Sequence, residues 1–280
     1  MSAVGYYKAL MNKDTSPSFS YLYDVEPFDR AFSVSRLLKS DYLGSAIEVE
    51  ESSGSTSSDI GYSDNLLDES SLSTFVGAND GNVLTAYDQS GNGYDWTEGD
   101  AGKKPLIVDS GVIQKINTFP SINFNNDNHR LFQAIQGAFQ PYCLFIVFQQ
   151  TTTGLSGNRW IVGPSGTGSA FNVYVTNSSG NIIAAAGVNQ QLYAENTNYN
   201  LLTIMVNSTS SIVRLNGVQI FSGNLGTFGT SAFTLGRYYN NSVNLKSPYF
   251  KLNEFVVYES DVSSSITDIE DNINNFYSIY

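Results

Sequence analysis

Tyr142-Cys143-Leu144-Phe145-Ile146-Val147-Phe148 decides the fold class. Apolar side chains occupy both alternate sets of positions, so a strand here hides both of its faces. The run is too short for an ordinary helix, and its aromatic and β-branched members suit a pleated sheet. Further along, Asn216-Gly217 supplies a two-residue hairpin turn, pairing Leu215 with Val218 and Val213 with Ile220 on one face. Around these two anchors lie short strand candidates at Leu106–Val108, Ser121–Phe124, Trp160–Val162, Phe171–Val175, Ile182–Ala186, Leu201–Val206, Phe233–Gly236 and Phe250–Tyr258. Asn, Gly, Ser and Thr separate them, as a sandwich or barrel requires.

Upstream the pattern is mixed. Ala31, Val34, Leu37 and Leu38 fall at helical spacing and predict a short helix from Asp29. Ala46–Glu50 alternates as a strand does. Asp68 is placed to cap a second helix bearing Leu72, Phe75 and Val76, with Gly77 at its end. Val83–Tyr87 returns to strand. The chain closes with a helix from about Ser263, whose Val262, Ile266, Ile269, Ile273 and Phe276 form a narrow apolar seam. That seam either packs on the sandwich or joins copies of the chain.

Composition narrows the classes. Aromatic residues reach 13% and charged residues only 14% of the 280, which excludes a disordered chain and a coiled coil. A single Cys143 excludes an intrachain disulfide framework, and a single His129 excludes a multi-histidine metal centre. No apolar run reaches the ~18 residues of a membrane span, and the stretch Met1 to Asp14 lacks a signal-peptide core. A soluble, unsecreted protein is expected. The net charge of −12 sits in the front: residues 1–109 hold 7 basic and 18 acidic side chains, whereas residues 110–280 hold 7 and 8. No basic footprint exists for nucleic acid. Three regions follow: an aromatic arm over 1–28 for docking, an acidic mixed α/β region over 29–100, and an all-β jelly roll over 101–280.

The order of several segments resembles a known family. These are Ala31-Phe32-Ser33-Val34-Ser35-Arg36-Leu37-Leu38, Ala46-Ile47-Glu48-Val49, Asp59-Ile60-Gly61-Tyr62, Phe75-Val76-Gly77, Thr85-Ala86-Tyr87-Asp88-Gln89-Ser90-Gly91-Asn92-Gly93, Lys104-Pro105-Leu106-Ile107-Val108 and Pro120-Ser121-Ile122-Asn123-Phe124. Together they are similar to the front of the alpha-L-arabinofuranosidase B catalytic-domain family. The back, with Ile212–Gly217 and Phe250–Tyr258, resembles laminin G-like and legume-lectin-like jelly rolls. The resemblance implies a concanavalin A-like sandwich, which also occurs in bacteriophage virion proteins. Cys143 standing alone departs from disulfide-bonded secreted members and fits assembly in a reducing cytoplasm.

Glycoside hydrolysis needs two carboxyl groups flanking the scissile bond. Between Ser110 and Asn253 only Asp127 and Glu195 qualify, both in turn-like segments, and neither aligns with the family's catalytic residues. Glu254 lies inside an apolar strand and is expected to be structural. No enzymatic activity is expected on these grounds, with an arabinofuranosidase-like hydrolase as the alternative. Asp88, Ser90, Asn92 and Asp95 around Gly93 match the opening of a calcium loop, but Gly99 occupies the twelfth position, and a hydrogen-bonded turn explains the same residues. No cofactor is otherwise expected. His129 reads as a loop residue and Cys143 as inert core. Trp160, Tyr193, Tyr238, Tyr239 and Asn240 lie near strand ends, where aromatic faces stack on sugar rings and amides bond their hydroxyls. The resemblance implies a multicopy phage virion protein, in head decoration, fibre or tail. Its arm would dock on another virion protein, and its lectin-like domain would bind surface polysaccharide weakly and multivalently. A purely architectural subunit without ligand is the further alternative. Neither nucleic acid nor membrane is a partner in this picture.

Overall fold

The computed structural model describes residues 20–280 except 55, 134–136, 165–169, 177–178, 231 and 238–245. Residues 1–19 of the arm over 1–28 lie outside the described residues, as do Tyr238, Tyr239 and Asn240, while its Leu22 and Phe28 are buried within this chain.

The architecture is an all-β, jelly-roll-like sandwich with a helix at its C-terminal end. Two layers face each other. One, here the covered sheet, runs in the order Val218–Gly223, Ser211–Leu215, Tyr199–Val206, Tyr142–Gln150 and Phe250–Tyr258, with Arg30–Ser33 and Ile122–Phe124 sharing the far edge. The other, the open sheet, runs from Thr56–Ile60 through Ile47–Glu51, Gly81–Ala86, Trp96–Thr97, Leu131–Gln133, Phe233–Leu235 and Arg159–Pro164 to Asn172–Val175, Asn181–Ala185 and Asn189–Ala194. All pairings between these strands are antiparallel. Leu106–Asp109 pairs with strands of both layers and joins them.

Tyr142–Gln150 takes the central place its sequence demands. It pairs along its length with Tyr199–Val206 on one side and Phe250–Tyr258 on the other. Its Leu144, Ile146 and Phe148 enter the core between the layers, while Cys143, Phe145 and Val147 face the opposite way. Rings cross the core: Phe32 and Trp96 lie 5.1 Å apart, Trp96 and Phe255 5.6 Å, and Phe233 and Phe255 5.8 Å.

The outer side of the covered sheet carries a second apolar layer. The helix Ile266–Tyr277 lays Ile266, Ile269, Ile273 and Tyr277 on Cys143, Phe145, Val147, Met205 and Val256. The seam therefore packs on the sandwich. An ion pair pins it there: Arg36 binds Glu254 through two hydrogen bonds of 2.8 and 2.9 Å, and Tyr277 and Asn272 bond the same pair. Glu254 is thus structural and fully buried. Burial pulls the Arg36 guanidinium down, but the Glu254 carboxylate outweighs it and the net shift is upward.

Two local expectations change. No helix starts at Asp29: Arg30–Ser33 is a strand, buried at every position and paired with Glu254–Val257. Its spacing mimics a helix because Ala31 and Val34 face different layers of a doubly packed edge. In the hairpin, Asn216 and Gly217 both take positive φ and Leu215 does pair with Val218, but a bulge puts Val213 opposite Phe221 instead of Ile220. The helix Glu69–Val76 forms as its cap predicts, with the Asp68 carboxylate accepting from the Ser71 amide at 3.0 Å. The strands before residue 100 are hydrogen-bonded into the same sheet system as those after it.

Candidate functional site

One face of the sandwich lacks a helical cover among the described residues: the outer face of the open sheet. Side chains alternate along each strand, so the core-facing set identifies the outward set. Ile47, Val49, Ile60, Val83, Ala86, Trp96, Leu131, Phe233 and Leu235 point into the core. Their neighbours Asp59, Glu48, Thr85, Thr97, Phe132 and Thr234 therefore point outward.

These outward residues are in register. Asp59 pairs with Glu48, Glu48 with Thr85, Thr85 with Thr97, Thr97 with Phe132, Phe132 with Thr234, and Thr234 with Gly163. They form one row perpendicular to seven strands. At a strand spacing of about 4.8 Å the row is about 29 Å long.

The acidic end is held by hydroxyl groups. Glu48 accepts from Ser57 at 2.8 Å and Thr85 at 3.1 Å, and Asp59 accepts from the Tyr87 hydroxyl at 2.7 Å. Asp95, immediately before Trp96–Thr97, lies near enough to Tyr87 for its charge to act on that phenol, and its Oδ1 accepts from the Asp88 amide at 2.8 Å. Among the described residues no Lys or Arg lies within 4.0 Å of Glu48, Asp59 or Asp95. Burial, and then the charge of Asp88, raise the Asp95 carboxyl above the usual range, although the Asp88 amide opposes them. The phenols of Tyr42 and Tyr87 are pushed up too, first by burial and then by the surrounding carboxylates, including Asp59 and Asp95.

Toward the other end the face is apolar and enclosed. Trp160 stacks on Tyr174, centroids 5.4 Å apart at 20°, and both pair away from the core through a bulge in Arg159–Pro164. Trp160 is only 9% exposed. Thr234 is fully buried, and its hydroxyl has no hydrogen-bond partner among the described residues.

Of the sugar-contact candidates, Trp160 thus lies on the open face. Tyr193 pairs with Ile182 and packs against the core, its hydroxyl buried without a partner among the described residues. The structure does not bring these two together. Asp127 is clamped by Arg159 at 2.8 Å and Lys246 at 2.9 Å. Burial would raise its carboxyl, but the two cations outweigh burial and lower it to about 2. Glu195 accepts from the Gly154 amide at 2.6 Å and from Gln150 at 3.4 Å. Both carboxylates therefore anchor loop segments around 154–159.

The calcium candidates form a closed turn. Asp88 accepts from the amides of Ala31, Ser90 and Tyr94 and from the Ser90 hydroxyl. Four donors occupy its lone pairs. Asn92 donates to the Asp29 carbonyl at 2.8 Å, tying the turn to the first strand. Among the described residues no group of three or more His, Cys, Asp or Glu is placed to hold a metal ion. His129 is not an exposed loop residue but 7% exposed, and burial lowers its imidazole to about 4. Cys143 is buried core, its thiol pushed well up by burial.

The chain matches no family model and no curated protein sequence. Solved structures do match. An arabinofuranosidase complexed with arabinofuranosyl-alpha-1,2-xylobiose superposes with a TM-score of 0.67 at 15% identity, over 90% of this chain and 64% of that one. A mutant GH54 α-L-arabinofuranosidase soaked with 4-nitrophenyl α-L-arabinofuranoside gives 0.69 at 14% identity, with the same coverage. The fold is the one these arabinofuranosidases have. The chain spans 64% of their length. A Trypanosoma rangeli sialidase in complex with 2,3-difluoro-KDN matches less extensively, with a TM-score of 0.50 at 12% identity over 69% of this chain and 31% of that one.

This overturns the expectation of a chain without enzymatic activity. That expectation rested on finding no aligned carboxylate pair, whereas the arabinofuranosidases that match 90% of this chain were solved with arabinofuranosyl compounds.

Thr85, Thr97, Phe132 and Thr234 escaped the sequence reading. They are single outward positions on separate strands, and only the register assembles them. The one readable signal was the alternation in Ile47–Glu51, which already turns Glu48 away from the core.

Proposed function

We propose that this chain is a carbohydrate-active protein that takes a saccharide on the open face and hydrolyses a glycosidic bond there. The observation that carries the proposal is the acidic end of the row, on a fold shared with arabinofuranosidases. Glu48 and Asp59 are direct cross-strand partners, so their Cβ atoms lie about 4.5–5.5 Å apart. Asp95, close to Tyr87, has the raised carboxyl a general acid requires. In this reading Asp95 protonates the leaving oxygen. Asp59 or Glu48 either attacks the anomeric carbon, forming a glycosyl ester that water then hydrolyses, or activates a water for direct attack; in both cases water supplies the hydroxyl of the new hemiacetal.

The assay uses purified protein with 4-nitrophenyl α-L-arabinofuranoside and arabinofuranosyl xylobiose, following product release. Turnover that falls at least about a hundredfold in Asp95→Asn, with unchanged circular dichroism, supports the assignment. Equal turnover in Asp95→Asn removes Asp95, and no turnover on either substrate or on a wider glycan panel removes the hydrolase proposal.

Multivalent display on a phage particle, with 1–28 docking on a neighbouring virion protein, rests on the family resemblance alone. It predicts that deleting 1–28 abolishes incorporation into particles, and normal incorporation would contradict it.

A further inference from the structure

We infer that the saccharide taken by this chain is acidic, and that Arg237 holds the carboxylate of one of its uronic acid units. The inference rests on the saccharide reading above and adds the class of sugar. Arg237 leaves the open sheet two residues beyond Phe233–Leu235 and is half-buried. Gly236 fixes its exit. That glycine has a φ of 81°, and its amide donates to the Ile161 carbonyl at 3.0 Å. A Cβ there would come within 2.5 Å of the Phe124 ring and 2.6 Å of the His129 carbonyl oxygen.

Three observations point to an anionic ligand. First, Arg237 is an unbalanced cation. Every Asp and Glu of the sequence except Asp14 is among the described residues, and none lies within 4.0 Å of this guanidinium. Its one side-chain acceptor among the described residues is the Asn128 amide oxygen, at 3.0 Å, which leaves most of its N–H donors to a ligand. Among the described Lys and Arg only Lys251 also lacks an ion pair, and it donates to the Lys115 carbonyl at 3.0 Å. Second, the acids beside Arg237 are already committed. Glu98 pairs with Arg130, Asp100 with Lys103 and with Arg130 at 3.6 Å, Glu50 with Lys104 at 2.8 Å, and Asp127 with Arg159 and Lys246. This rim is continuous, because Asn128 follows Asp127 and the Arg130 amide donates to the Lys103 carbonyl at 2.9 Å. With Arg237, its cations outnumber its carboxylates in a chain whose net charge is −12. Third, two guanidinium groups stand close together. Burial, and then the charge of Arg130, lower the Arg237 guanidinium, although Glu98 opposes them. A planar carboxylate matches the donor fork of Arg237 and offsets that repulsion.

Calorimetry of the full chain tests the inference. It compares trigalacturonate and glucuronosyl-xylotriose with their methyl esters, and takes arabinofuranosyl xylobiose as the neutral reference. At least one acid is expected to bind about tenfold more tightly than its ester, as one charge-assisted contact implies. The margin should shrink at high salt. Arg237→Gln should abolish the margin and leave the affinity for arabinofuranosyl xylobiose unchanged, and Arg237→Lys should keep part of it. The glutamine variant loses only the bond to Asn128 among the described residues, and thermal unfolding checks that it is folded. Binding of the neutral reference with no acid preferred over its ester, or a margin that survives Arg237→Gln, overturns the inference and leaves the saccharide reading standing. Inorganic sulfate binding to Arg237 as tightly as the acids do would reveal a simple anion site and overturn the sugar assignment. No binding of any saccharide overturns both.

Discussion

At the scale of single residues, charges in this protein are either locked or left open, and the difference separates scaffold from site. Arg36 and Glu254 are locked, buried and bonded at both ends. Glu254→Ala strands the guanidinium in the core and should cost about 3–5 kcal/mol in a urea titration. His129 gives a pH signature. Its folded imidazole lies near 4, against 6.5 when unperturbed, so the unfolded chain binds the extra proton first as pH falls. Stability from this group is complete above pH 6.5 and drains away toward pH 4, by roughly 3 kcal/mol. Denaturation at pH 7 and pH 4.5 should show that slope, and His129→Gln should flatten it. Asp127 acts in a separate window, because its lowered carboxyl contributes stability that is lost only as pH falls toward about 2. Glu48, Asp59 and Asp95 lack such cationic partners among the described residues.

At the scale of elements, legibility followed how many local signals agreed. Tyr142–Gln150 was readable because both faces are apolar, and Glu69–Val76 because cap, apolar face and terminal Gly77 coincide. Arg30–Ser33 was not, since its burial comes from Phe250–Tyr258, more than two hundred residues away. Edge and outward-facing strands such as Asn189–Ala194 and Thr56–Ile60 are polar and leave little pattern. The closing helix was readable as an amphipathic seam, and the structure adds its partner, the outer face of the covered sheet. Ile273 lies at the centre of that contact and is fully buried. Ile273→Ala should therefore destabilise by about 2–5 kcal/mol without changing ligand binding, because the helix lies on the far side from the open face. An equal loss of saccharide affinity at a temperature where the variant is fully folded would show that the two faces are coupled.

At the scale of the whole molecule, the acidic front and the neutral back share one sheet. Strands from the front carry Asp59, Glu48 and Thr85 to one end of the open face, and strands from the back carry Phe132, Thr234 and Trp160 to the other. The charge imbalance along the chain thereby becomes a gradient across a surface. This is why the candidate site was invisible in the sequence: its members span residues 48 to 234 and meet only through strand register. Backbone chemical-shift mapping with arabinofuranosyl xylobiose tests the account most directly. Shifts concentrated at Glu48, Asp59, Thr85, Asp95 and Thr97 are predicted. Shifts confined to the closing helix and the covered sheet, or no shifts with any glycan offered, would contradict it.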